Sequence, residues 1–198
     1  MNNANKITMV RIVMSVMIII LLLFPFDQIG VYFPEYKPIN NMVVPKLEYI
    51  IAGILFAIAS FTDFLDGYVA RKYNMVTDFG KMIDAISDKM LTNSILIILA
   101  CDNMVSPIVV VVIIVRDIVV DSIKMLIGNK GKAVAAIPIA KLKTASLMFG
   151  IFFTLMYNLP FELININVSE FLLVVAAVLS IISGVKYYIM AKDYIDVK

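Results

Sequence analysis

The sequence predicts an all-α integral membrane protein. Six transmembrane helices follow an N-terminal interfacial segment, all in one domain over residues 1–198, with the functional site in a polar cavity at the cytoplasmic side. Three observations carry this prediction. Hydrophobic residues make up 62% of the 198 and charged residues only 16%, a balance outside that of soluble domains. The apolar residues fall in six runs of about 17 to 25 residues, the length that crosses a bilayer as a helix. Prolines and polar residues gather between the runs, where connections belong.

Taken in order, Asn2 to Thr8 is polar, with Ile7, Met9 and Val10 able to face lipid, and is expected to lie along the interface. The first span is expected from about Met9 to Phe26. Lys6 and Arg11 ahead of the apolar run resemble the start of a secretory signal, but the run ends in F-P-F-D-Q without a small-residue cleavage pattern, so a retained span is expected. Pro25, Pro34, Pro38 and Pro45 make the stretch from Asp27 to Pro45 a loop. The second span runs from about Leu47 to Arg71, and a polar connector from Lys72 to Phe79 leads to the third, Gly80 to Cys101. The fourth, Pro107 to Ile127, holds Arg116, Asp117, Asp121 and Lys124 in a Val/Ile-rich run. Asp117, Asp121 and Lys124 share one helical stripe. A basic loop from Gly128 to Pro138 precedes the fifth span, Leu142 to Tyr157, and the sixth runs from Val168 to Met190.

With both termini on one side, that side collects Lys6, Arg11, Arg71, Lys72, Lys81, Lys130, Lys132, Lys141, Lys143, Lys192 and Lys198, whereas the opposite loops carry Lys37 and Lys46. The positive-inside rule then makes this a multi-pass protein of the cell (plasma) membrane with both termini cytoplasmic. A net charge of +2 is too small to suggest a nucleic-acid partner. The single Cys101 excludes an internal disulfide.

The most informative stretch runs from Asp63 to Asp88: D-F-L-D-G-Y-V-A-R-K-Y-N-M-V-T-D-F-G-K-M-I-D-A-I-S-D. Asp63 and Asp66 share one helical face, and Gly80, Asp84 and Asp88 form a stripe on the next helix, antiparallel to the first. At about 1.5 Å of rise per residue, Asp66 comes level with Asp84 and Asp63 with Asp88, so four carboxylates converge. Like charges so close repel unless protons or cations intervene. With no His in the chain and no Cys nearby, oxygen-only ligands suit Mg²⁺ or Mn²⁺. Two ions shared by Asp63, Asp66, Asp84 and Asp88 suit phosphoryl-type chemistry on a diphosphate. Gly67, Ala70 and Gly80 leave room on the same faces for a ligand or a helix. The competing reading is an ion-pair network with Arg71, Lys72, Lys81 and Lys89, which requires neither the register nor the small residues.

The stretch fits D-x2-D-G-x2-A-R-x8-G-x3-D-x3-D without a mismatch, through Asp63, Asp66, Gly67, Ala70, Arg71, Gly80, Asp84 and Asp88. In this it resembles the CDP-alcohol phosphotransferases. The resemblance implies that an alcohol attacks the lipid-side phosphorus of a CDP-linked lipid and that CMP leaves. It further implies that Asp88, matching the family's last aspartate, is the general base. The CDP-lipid would be bound by Asn5, Thr8, Asp63, Asp66, Gly67, Ala70, Arg71, Thr77 and Gly80. Asn5, Thr8 and Arg11 match the N-x-x-T-x-x-R that starts the phosphatidyl-transferring members; the alternative is that Thr8 caps the helix and Arg11 snorkels to head groups. Related enzymes are commonly homodimers, and a homodimer is expected here.

Arg116, Lys124, Lys141 and Lys143, with Arg11, form a positive group suited to a phosphorylated acceptor, which favours glycerol 3-phosphate as the partner of CDP-diacylglycerol. R-D-I-V-V-D-S-I-K and A-K-L-K-T-A resemble the R-E-x-x-V-T-G-x-R and G-K-x-K-T-A segments of the phosphatidylglycerophosphate synthase subgroup. Asp121 and Ser122 stand where that subgroup has T-G, Lys124 replaces an Arg, and Ala140 replaces a Gly. The alternatives are the same chemistry on inositol phosphate, serine or a phospholipid, a membrane prenyltransferase, and a divalent-cation transporter. The last would place its acids near mid-membrane in pseudo-symmetric pairs.

Overall fold

The computed structural model describes residues 3–29, 46–72, 78–129 and 137–195, without the side chains of 3–7, 27, 29, 63–72, 78, 79, 81, 129, 163 and 193–195. The described residues form six α-helices and no strand: α1 (Asn3–Leu23), α2 (Leu47–Lys72), α3 (Asp78–Cys101), α4 (Pro107–Asn129), α5 (Pro138–Leu155) and α6 (Val168–Ile195). Short 3-10 turns lie at Phe26–Ile29 and Phe161–Ile164.

Two helix starts differ from expectation by four residues or more for local reasons, and α6 runs on to Ile195, past the expected Met190. α1 is continuous from Asn3, so residues 3–8 are its first turns and not a separate interfacial segment. No proline or glycine interrupts it, and Thr8, Arg11, Ser15 and Ile18 line one buried stripe at helical spacing. α5 begins at Pro138, four residues before the expected Leu142. Proline suits a first helical position because its missing N–H has no intrahelical partner there, and Ile137 ahead of it is extended at φ −76°, ψ 149°.

α1 packs against α2 and α3, α5 joins α6 and α2, and α4 bridges α6 and α3. Ile18, Phe56, Leu91, Ile95, Leu99, Ile113, Ile151, Leu155 and Leu173 fill the main core. The outside is apolar as well: Val10, Val13, Met17 and Ile20 on α1, Ile108, Val111, Val115 and Ile118 on α4, and Phe171, Val174, Val178 and Ile181 on α6 are all exposed. Apolar surface this continuous marks a protein solvated by lipid. Among the described residues two helices, α5 at Pro138–Leu155 and α6 at Val168–Lys192, are long and apolar enough to cross a membrane, and α1 and α2 carry shorter apolar stretches, Thr8–Leu23 and Leu47–Thr62.

The α5–α6 pair is close because Gly150 leaves space for Leu173. A Cβ at Gly150 would stand 2.8 Å from Leu173 Cγ and Cδ2 and 3.3 Å from its backbone nitrogen. Gly150→Val is therefore expected to destabilise the fold by about 1–3 kcal/mol, the usual cost of overpacking. A lowered thermal midpoint in detergent would show it, and an unchanged midpoint would mean that the helices part without penalty.

Candidate active site

α3 carries Gly80, Asp84 and Asp88 at successive turns, a rise of about 6 Å from one acid to the next. Leu91 and Ile95 anchor its inner face in the core, which fixes the direction of the acidic stripe. Asp84 is open, with 55% of its side chain exposed, yet its Oδ1 accepts a hydrogen bond of 3.0 Å from Arg11 Nη1. Arg11 is 1% exposed and comes from the buried stripe of α1. A snorkelling role for it is thereby excluded, and Thr8, buried within α1, is not a cap. Asp88 is half-buried and lies within electrostatic reach of Arg11, Asp84, Lys143 and Asp117.

α4 supplies the opposite wall. Asp117 bridges two cations: Oδ2 accepts from Lys143 Nζ at 2.7 Å, while Oδ1 accepts from Lys143 at 2.9 Å and from Arg116 Nη1 at 2.8 Å. Arg116 also donates through Nε to the Ser180 carbonyl at 3.1 Å and through Nη2 to Ser183 Oγ at 2.7 Å. Its aliphatic stem fits over α6 because position 184 is glycine; a Cβ there would meet Arg116 Cγ at 3.2 Å. Arg116 thus clamps α4 to α6. One turn on, Asp121 pairs with Lys89 of α3. Lys124 lies with its ammonium 5.1 Å from the centre of the Tyr187 ring, which also has the Arg116 guanidinium carbon at 5.7 Å. Lys141 is exposed at the start of α5.

The expected site residues therefore separate into three groups. Arg11, Asp84, Asp88 and Lys143 are brought together, with Arg116 behind Lys143 and Lys124 toward Tyr187. Asp63, Asp66, Gly67, Ala70 and Arg71 occupy the last turns of α2, and Asn5 the first turns of α1, with side chains outside the described residues. Thr77 lies outside the described residues, and Gly80 is the third residue of α3.

Sequence reasoning places Lys89 in an ion-pair network with the motif acids but misses Ser180, Ser183 and Tyr187. These three, with Gly184, recur at spacings of three and four in an apolar helix, the mark of a helix-packing face that could have been read. Their partner on α4, Arg116, is 64 residues from Ser180 and 67 from Ser183 along the chain. Among the described residues no three acids gather into a cation site; Asp84 and Asp88, one turn apart, offer carboxylate oxygens of the kind that suit a hard divalent cation.

The CDP-alcohol phosphatidyltransferase family model matches residues 1–182. A Bacillus subtilis protein named CDP-diacylglycerol--glycerol-3-phosphate 3-phosphatidyltransferase is 36% identical over 187 residues, 94% of this chain and 93% of its own length. Relatives of the same name from Rickettsia typhi and Rickettsia prowazekii are each 36% identical over 194 residues, 98% of this chain and at least 97% of theirs. With its acids in the family's register and the match running almost end to end, this chain belongs to the CDP-alcohol phosphatidyltransferase family.

Proposed function

We propose that this protein transfers the phosphatidyl group of CDP-diacylglycerol to glycerol 3-phosphate, giving phosphatidylglycerophosphate and CMP. The observation that carries the reading is that Asp88 lies within electrostatic reach of both the open acid Asp84 and the enclosed cation Lys143. A diphosphate held through cations needs the acids, and an anionic acceptor needs positive charge nearby. The name shared by relatives that align over nearly the whole chain supports the same pair of substrates.

Asp63, Asp66, Asp84 and Asp88 would hold two Mg²⁺ or Mn²⁺ ions, which when bound neutralise the diphosphate and favour departure of CMP. Asp88 takes the proton from the acceptor hydroxyl as its oxygen bonds to the diacylglycerol-bearing phosphorus and the bond from that phosphorus to the CMP oxygen breaks. Arg71 pairs with phosphate oxygens of the CDP-lipid. Gly67, Ala70 and Gly80 let it approach the helices, and Asn5, Thr8 and Thr77 line its path. Arg11 holds Asp84 in place and, with Lys143, offsets the negative charge brought by the acceptor. Asp121, an extra acid where the synthase subgroup has threonine, does not repel that acceptor as a bare charge because Lys89 neutralises it.

In the same reading all six helices cross the plasma membrane, residues 1–198 act as one domain, and the protein is a homodimer. The site and both termini face the cytoplasm, supported by the basic residues that crowd that end.

Purified protein with CDP-diacylglycerol and Mg²⁺ should release CMP when glycerol 3-phosphate is added. Exhaustive chelation should abolish release, and Mg²⁺ or Mn²⁺ should restore it. Release with serine or inositol phosphate but not with glycerol 3-phosphate would overturn the acceptor; full activity after chelation would overturn the metal.

A further inference from the structure

An acceptor phosphate carries between one and two negative charges at neutral pH and draws on whatever cations can leave their present partners. The described cations around Asp88 differ in this respect. Arg11 is committed to Asp84, and Arg116 has Asp117, the Ser180 carbonyl and Ser183 as acceptors. Lys143 is 4% exposed and grips both oxygens of Asp117, so giving it to a phosphate would strip a buried pair of one partner.

Lys89 is placed differently. It follows Asp88 directly in the chain and lies within electrostatic reach of Asp88, Asp117, Lys124 and Lys143. Its side chain is 35% exposed, and that of its partner Asp121 is 44% exposed. With this much of both side chains open, the pair is held less firmly than the Arg116–Asp117–Lys143 cluster. A phosphate can therefore replace Asp121 on Lys89 by exchanging one anion for another, leaving the buried Arg116–Asp117–Lys143 cluster intact.

We propose, resting on the phosphatidyl-transfer reading, that Lys89 binds the phosphate of the acceptor and that Asp121 is its resting counter-ion, which the incoming phosphate displaces. Lys89 then sets the preference for a phosphorylated alcohol, and Asp121 sets how readily it is engaged.

The test is a kinetic comparison of the full-length protein with its Lys89→Gln, Lys89→Arg and Asp121→Asn variants, varying glycerol 3-phosphate and CDP-diacylglycerol separately. Lys89→Gln should raise KM for glycerol 3-phosphate about tenfold, the worth of one charged hydrogen bond, with KM for CDP-diacylglycerol moving less than about twofold. Lys89→Arg should restore most of the acceptor affinity, because the charge returns. Asp121→Asn should lower KM for the acceptor by up to about fivefold, the strength of an exposed ion pair, and make inorganic phosphate a better competitor of the acceptor. Should Lys89→Gln fail to fold, the Asp121→Asn and phosphate-competition results decide alone. Equal changes in both KM values, no change in Lys89→Gln, or a raised acceptor KM in Asp121→Asn would overturn the proposal. Wild-type protein that releases no CMP with glycerol 3-phosphate would instead overturn the reaction on which it rests.

Discussion

Asp88→Asn is expected to reduce CMP release by about 10²- to 10⁴-fold, the usual contribution of a positioned general base, and by more if cation binding is lost with it. Amide for carboxylate keeps shape and volume while removing charge and basicity. The helix should survive the change. Among the described residues, the side-chain hydrogen bond at this position runs from Thr92 Oγ1 to the Asp88 backbone carbonyl at 2.9 Å and does not involve the carboxylate. Asp88 lies among three cations, Arg11, Lys89 and Lys143, and two other acids, Asp84 and Asp117, so loss of its one charge leaves a cluster still of mixed sign. Asp84→Asn would be a less clean probe, since it also weakens the hold on the buried Arg11. Unchanged helix content by circular dichroism together with lost turnover would support the assignment. Near-wild-type turnover would remove Asp88 as the base.

What could be read from the sequence, and what could not, divides by the range of the interaction. Helices α2, α3 and α6 begin within two residues of where apolar run and polar connector meet, because burial and the ends of helices are local properties. α5 starts earlier than the apolar run suggests, and the signal for it, a proline at the first helical position, is present in the sequence. The acidic stripe was legible because one helix fixes the relation of Asp84 to Asp88. The cations were not legible in the same way. Arg116 and Lys124 read as acceptor ligands when only their charge and helical position were known. Their neighbours on α6, Ser180, Ser183 and Tyr187, depend on how two helices far apart in sequence meet. Asp121 departs from the subgroup pattern, and its compensation, Lys89, lies on another helix. Helical spacing gives a face; the opposing face is a tertiary fact.

The cluster around Asp117 should dominate stability at this end of the bundle. Asp117 has 14% of its side chain exposed, and its partners Lys143 and Arg116 have 5% and 12%. Asp117→Ala would leave an ammonium and a guanidinium close together without their shared carboxylate. Removing one partner of a buried ion pair costs about 3–5 kcal/mol, so a large fall in unfolding stability is expected. Lys143→Met made in the same protein relieves much of it, since the remaining Arg116 keeps its bonds to the Ser180 carbonyl and Ser183. The two changes should therefore be non-additive by about 0.5–3 kcal/mol, the range found for residues in one network. Denaturation in detergent of the wild type, both single variants and the double variant measures that coupling directly. Additive effects, or a loss below about 1 kcal/mol for Asp117→Ala, would mean that water already reaches the cluster and screens it like a surface pair. In that case Lys143 would be as free as Lys89 to meet an incoming phosphate, and the distinction between a buried anchor and an exchangeable cation would fall.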